Sequence, residues 1–201
     1  ALAAEAPQLV ASAEAADPYG APIVVTASRR RDEKAQEVPI ALSIVNAAAL
    51  ERRGDYTLAQ IQQQVPSLQV FSFNPRNTNI NIRGLGSNVA ITNDGLDNGV
   101  GVYVDGVYYA RVGSTQFDLV DLERIENLRG PQGTLFGGNT TAGAISIVTQ
   151  EPRFEPSGSI EGSLGDYGYR QIRGSFTGPI ISDVLAARIS ASTTERDGFL
   201  D

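Results

Sequence analysis

The sequence contains no cysteine, no histidine, no methionine and no tryptophan. Without cysteine there is no disulfide framework and no thiolate metal site. Without histidine the commonest general base and most zinc sites are gone. Lys34 is the single lysine, and it lies in a charged stretch, so a serine nucleophile has no base built beside it. No GK[ST] phosphate loop is present, Gly84-x-Gly86 lacks the third glycine of a dinucleotide loop, and Asn93–Asn98 lacks EF-hand spacing. No catalytic constellation, cofactor or metal site is therefore expected. No run approaches the ~20 apolar residues of a membrane helix, so membrane contact falls to strands or to chain beyond these residues. A net charge of −7 argues against a nucleic-acid partner.

What is present divides by character. Residues 1–22 are alanine-rich and acidic without a repeating apolar face, which reads as a leader. The opening ALAAEAP has the small-residue character of a signal-peptidase remnant and sets the expectation of an exported protein. Ile23–Thr26 is a β-prone island between Pro22 and the charged stretch Arg29–Glu37, which reads as a solvated linker. From Val38 the pattern becomes globular. Ile40–Val45 reads as a strand, and Asn46 as the cap of a short helix, Ala47–Arg53, with Gly54 at its end. Thr57-x-x-Gln60 is a capping-box pattern opening a second helix that buries Leu58, Ile61 and Val65 and stops at Pro66. Leu68–Phe73 reads as a strand and Asn79–Arg83 as a half-buried strand. Asp105-Gly106 between VYV and VYY signals a hairpin with a type I′ turn. Leu119–Asn127 is ambiguous between helix and strand, Glu123–Arg129 reads as strand, and Ala144–Thr149 is a last strand. The sum is a small α+β domain with a mixed sheet over 38–150.

Beyond 150 come three segments of about ten residues: Ser157–Gly165, Tyr169–Gly178 and Val184–Thr194. Ile160 and Leu164 share a face. Ile172 and Phe176 oppose Gln171, Arg173, Ser175 and Thr177. Leu185, Ala187, Ile189 and Ala191 oppose Arg188, Ser190, Ser192 and Thr194. One apolar and one polar face suit either a transmembrane barrel wall or a soluble antiparallel sheet over a core.

The stretch Arg129–Thr149, RGPQGTLFGGNTTAGAISIVT, resembles the last characteristic stretch of the plug domain of TonB-dependent outer-membrane receptors. Ile23–Ala27, IVVTA, resembles the TonB box. NINIRGLG at 79–86 and VYVDGVY at 102–108 follow in family order, and the likeness covers about 22–201. It departs at Gly138, where relatives often carry a basic residue, and at Ala144, where they often carry glycine. The resemblance implies an α+β plug followed by the first antiparallel strands of a transmembrane β-barrel of roughly twenty-two strands. Three strands close no barrel in lipid, so most of the wall is expected outside this chain. The implied division is a leader 1–22, TonB box and linker 23–37, plug 38–150 and barrel strands 151–201.

The same resemblance implies the sites. Ile23, Val24, Val25, Thr26 and Ala27 would add as a strand to a sheet edge of periplasmic TonB. Arg83 and Arg129 each end a strand before glycine; matching plug arginines in the family meet carboxylates of the inner barrel wall, for which the planar guanidinium fork is suited. Ligand contacts are expected on outward plug loops, Phe73–Asn77, Leu85–Asn98 and Tyr109–Gln116, with Asn74, Arg76, Asn88, Asp94, Asp97, Tyr109 and Arg111 as candidates. The implied function is energy-coupled uptake of a scarce nutrient across the outer membrane, with a ferric siderophore or other iron complex as ligand. The implied partners are TonB, outer-membrane lipid and a small metal chelate. The leader is too short for the extra periplasmic signalling domain of transducing receptors. The competing expectation is a soluble secreted β-rich binding module without transport.

Overall fold

The computed structural model describes residues 24–25, 33–34, 38–47, 49–50, 57–72, 78–86, 97–111 and 119–198. Strands β1 (Val24–Val25) and β2 (Glu33–Lys34) pair antiparallel. Glu33 and Lys34, expected in a solvated linker, thus form a ladder with the segment upstream. The central sheet has five strands in the order β3 (Ala41–Asn46), β9 (Leu122–Arg129), β10 (Gly143–Thr149), β7 (Val100–Val104) and β8 (Val107–Tyr109). All pairs are antiparallel except β10 with β7, so the sheet is mixed as expected. A smaller sheet joins β4 (Leu68–Ser72), β5 (Thr78–Ile82) and β6 (Leu85–Gly86). The third sheet holds β11 (Ser157–Leu164), β12 (Arg170–Ile181) and β13 (Leu185–Glu195).

Both faces of the central sheet are covered, which explains its mixed sequence pattern. Val45, Val100, Val102, Ile125, Ile145 and Ile147 point to one core, shared with Leu58, Ile61 and Val65 and with Leu68, Val70, Ile80 and Ile82 of the small sheet. Tyr103, Leu128 and Ala144 point to the other, which includes Val25, Val38 and Phe136. Alternation along each strand assigns neighbours to opposite faces.

The local signals read from sequence take the forms their chemistry dictates. Asn46 Oδ1 accepts from the Ala49 N–H at 2.9 Å, and Ala47, Ala49 and Leu50 are helical. Helix α1 (Leu58–Ile61) follows an extended Thr57, whose N–H donates to Gln60 Oε1 at 2.9 Å, the return half of a capping box. Helical bonding ends with Val65 N–H to Ile61 O, immediately before Pro66. Asp105 (φ 48°) and Gly106 (φ 79°) both have positive φ, the requirement of the type I′ turn. Helix α2 (Gly133–Phe136) closes by a Gly137 N–H to Gly133 O bond.

Two expectations are refined. Leu119–Asn127 resolves as strand from Leu122 onward. β5 is buried nearly throughout rather than half-buried, with Thr78 and Asn79 inside.

In the third sheet Ile160, Leu164 and Ile189 are 88%, 86% and 71% exposed, whereas Gln171 and Thr177 are 2% and 0% exposed. The apolar face is outermost and the polar face is turned toward the domain. A soluble sheet buries its apolar face on a core, so this inversion separates the two readings left open by periodicity and matches a barrel wall. Its polar face is knitted by a cross-strand Arg173–Glu161 pair, Ser159 with Ser175 at 3.1 Å, and Gln171 Nε2 to Thr194 Oγ1 at 2.9 Å.

Candidate functional site

Three regions bear on function: the N-terminal strand, the outer end of the hairpin, and the junction between domain and wall. Val25 is fully buried and belongs to the core cluster of Val38, Leu128 and Phe136. Its strand partner is β2, through Val24↔Lys34 and Val25↔Glu33. The segment expected to join a partner's sheet is already seated in this chain; Ile23, Thr26 and Ala27 lie outside the described residues.

Hairpin β7–β8 has two ends with different surroundings. The turn end is tied to β10, since Asp105 N–H donates to Ile147 O and the Asp105 carboxylate accepts from both N–H and Oγ1 of Thr149, each at 2.9 Å. Just beyond Thr149 the chain passes toward β11, so this end faces the start of the wall. Asp97 precedes β7 and Arg111 follows β8, so both lie at the opposite end, with Tyr109 at the close of β8. Asp97 and Arg111 are exposed and Tyr109 is half-buried. The structure thus brings three of the candidate ligand residues to one end of the sheet, away from the start of the wall. Asn74, Arg76, Asn88 and Asp94 lie outside the described residues.

The two arginines differ. Arg83 is exposed in a left-handed conformation (φ 54°) before Gly84 (φ 75°), at the tip between β5 and β6. Arg129 is half-buried at the end of β9 and donates to the carbonyls of Ala41 and Leu42 at 3.4 and 3.3 Å. Its described contacts are within the domain, to the first residues of β3.

Three features were not foreseen from sequence. The first is an aromatic cluster: Tyr103 donates to Phe136 O at 2.6 Å, with ring centroids of Tyr103 and Phe136 5.0 Å apart and Tyr108 5.4 Å away. The second is a buried ion pair on β9, Arg124 Nε to Glu126 Oε1 at 2.8 Å, with Glu126 fully buried and Glu123 also on the Arg124 guanidinium. Desolvation of such a pair offsets much of its attraction, so it specifies arrangement more than it adds stability. The third is a bidentate pair between Arg188 of β13 and Asp121, with Arg188 also reaching Ser175 Oγ at 3.3 Å. The alternation of β13 had placed Arg188 on the polar face, but nothing local named its partner.

A compact α+β domain whose C-terminal strand leads into an inverted β wall, polar side facing the domain, defines a plug with the start of its barrel. The family model of the TonB-dependent Receptor Plug Domain matches residues 34–144. The chain belongs to that family. It is 30% identical over 190 residues to the pesticin receptor of Yersinia pestis, covering 94% of this chain and 28% of the relative. It is 29% identical over 180 residues to the iron-regulated outer membrane virulence protein of Vibrio cholerae, covering 81% of this chain and 26% of that protein. The crystal structure of the ferric yersiniabactin uptake receptor FyuA from Yersinia pestis superposes with a TM-score of 0.69 at 31% identity, over 76% of this chain and 24% of that one. The ferripyoverdine receptor of Pseudomonas aeruginosa gives 0.74 at 20% identity, over 90% and 23%, a likeness of fold. The chain therefore spans about a quarter of the length of these proteins.

Proposed function

We propose that this chain is the plug and first wall strands of an outer-membrane transporter that imports a ferric siderophore or similar iron complex, driven through TonB. The observation that carries the reading is the inverted wall: large apolar side chains point outward on β11–β13 while the polar face holds the plug. The names of the similar proteins, a ferric yersiniabactin uptake receptor and an iron-regulated outer membrane protein, support iron complexes as the ligand class.

In this reading the plug occupies the lumen of a barrel of roughly twenty-two strands, most of them contributed by chain beyond this one. The organisation follows as a leader over 1–22, a TonB box with linker over 23–37, the plug over 38–150 and wall strands from 151. Asp97, Tyr109 and Arg111, with Asn74, Arg76, Asn88 and Asp94, lie on the ligand side. Arg83 and Arg129 face carboxylates of the remaining wall. TonB takes residues 23–27 by strand addition, which competes with the seating of Val25 in its core cluster. Ligand capture and coupling are thereby separable. The test is Val24→Pro in the full-length receptor, since proline removes a ladder donor. Uptake of the iron complex is lost while surface binding persists; unchanged uptake overturns the TonB-box assignment.

A further inference from the structure

The plug of this chain meets its wall through a carboxylate on the plug and a guanidinium on the wall, the reverse of the charge arrangement proposed for Arg83 and Arg129. Asp121 and Arg188 are 67 residues apart in sequence. Arg188 Nε and Nη2 donate to the two carboxylate oxygens of Asp121, a parallel two-bond fork. The side chains are only 7% and 13% exposed for Asp121 and Arg188 respectively. Arg188 is steadied by Ser175 Oγ on the adjacent strand. Asp121 is held in a left-handed conformation (φ 58°), and its carbonyl accepts from Gln150 N–H at 2.9 Å. Gln150 in turn donates to Leu122 O at 3.3 Å. Three residues along the chain from Gln150, Arg153 N–H donates to Thr177 Oγ1 at 2.8 Å, and Thr177 is fully buried with its hydroxyl on Ala187 O at 3.1 Å. Asp121, Gln150, Arg153, Ser175 and Arg188 line a polar cleft of about 240 Å³ between plug and wall, together with Glu161 and Arg173.

We propose that Asp121–Arg188 is a plug-to-wall anchor. It pins the start of β9 and the end of β10, the two neighbouring central strands, to β13, while β3, the edge strand that follows β1 and β2 in chain order, pairs with β9 on its other side. The anchor marks the part of the plug that stays seated on the wall, with Asp121 and Arg188 as positioning residues. A surface ion pair would contribute little. This one is shielded and bidentate, and removing one partner leaves the other largely buried without its counter-charge.

This inference rests on the reading of β11–β13 as barrel wall. The experiment uses the full-length receptor in native outer-membrane vesicles and measures amide hydrogen exchange in wild type, Asp121→Asn, Arg188→Gln, the double variant, and the charge swap Asp121→Arg with Arg188→Asp. The expected result is exchange at residues 119–129 and 143–150 faster by about tenfold or more in each single variant. The double variant is no faster than the singles, the swap recovers most of the protection, and residues 68–82 are unchanged. Additive effects in the double variant, loosening spread equally over residues 68–82, or a swap that recovers nothing would each overturn the anchor. Should a single variant fail to assemble, a swap that assembles supports the anchor and one that also fails overturns it. Either result leaves transport untouched as a readout, so failure of the anchor is distinguishable from failure of the wall reading, which lipid exposure of Ile189 decides.

Discussion

The Asp105 carboxylate accepts two hydrogen bonds from Thr149, one from its backbone N–H and one from its hydroxyl, both 2.9 Å long and 44 residues apart in sequence. A turn residue chosen for its tolerance of positive φ thereby also ties the hairpin to the strand that leads to the wall. Asp105→Asn keeps the turn and one acceptor, whereas Asp105→Ala removes both acceptors. The alanine variant is expected to speed exchange of amides at 107–109 and 149 by an amount worth about 1 kcal/mol, and asparagine less. Equal exchange in alanine variant and wild type would mean that the backbone bond from Asp105 to Ile147 holds the hairpin by itself.

Tyr103 is 2% exposed and its hydroxyl ends on a main-chain carbonyl. Tyr103→Phe keeps the edge-on packing with Phe136 but leaves that carbonyl without its donor, an expected loss of about 1–2 kcal/mol. Tyr103→Ala also opens a cavity and is expected to lose about 3–5 kcal/mol. Urea midpoints of the receptor's plug transition, followed by exchange at 133–140, order the three proteins.

Gly143 opens β10 where backbones crowd. A Cβ there would stand 2.3 Å from Leu128 O and 2.7 Å from Ile82 Cδ1. The first contact is with main chain, which cannot swing aside. Gly143→Ala is expected to disturb the β9–β10 pairing by at least about 1–3 kcal/mol, the range for overpacked sites. Gly133→Ala is the control, because nothing lies within 4 Å of a Cβ at that position. Similar expression and thermal stability of the two variants would contradict the close approach.

Val25 ties release of β1, the proposed TonB box, to plug packing. Val38 shares its core cluster, so Val38→Ala weakens the seat without altering residues 23–27. Two lost methyl groups at about 0.8 kcal/mol each raise the population of released β1, and with it the affinity for isolated TonB C-terminal domain, by at most about fifteenfold. Titration of that domain against ligand-free receptor measures the shift. Unchanged affinity would show that seating of β1 does not oppose TonB.

The sequence reading succeeded where the signal was local. Asp105-Gly106 demanded a turn with two positive φ angles, Asn46 and Thr57 carried their helix starts within three residues, and the alternation across 157–194 set which side chains share a face. It ran short where a partner lies far along the chain. Leu122, Ile125 and Leu128 fall at three-residue spacing, which suits a helix; they became a strand because both faces of β9 are covered and its charged positions, Arg124 and Glu126, satisfy each other inside. Asn79 looked solvent-facing in NINIR, yet it is buried in the fold, a burial its own segment does not announce. Asp121 fell in a stretch ambiguous between helix and strand, and only the folded wall brings Arg188 to it. Val25 showed its β character but not its burial, since the covering residues come from β9, α2 and residue 38.

In the proposed barrel wall the outward face of β11–β13 lies against lipid. The direct measurement uses the full receptor with single cysteines carrying a fluorophore at Ile160, Ile189, Ser159 and Ser190, introduced into a segment that has no cysteine of its own, in bilayers containing brominated lipid. The account predicts strong quenching at Ile160 and Ile189 and little at Ser159 and Ser190, their neighbours on the opposite face. Equal quenching at all four, or protection of Ile160 and Ile189, would contradict the barrel wall and return the soluble binding module to first place.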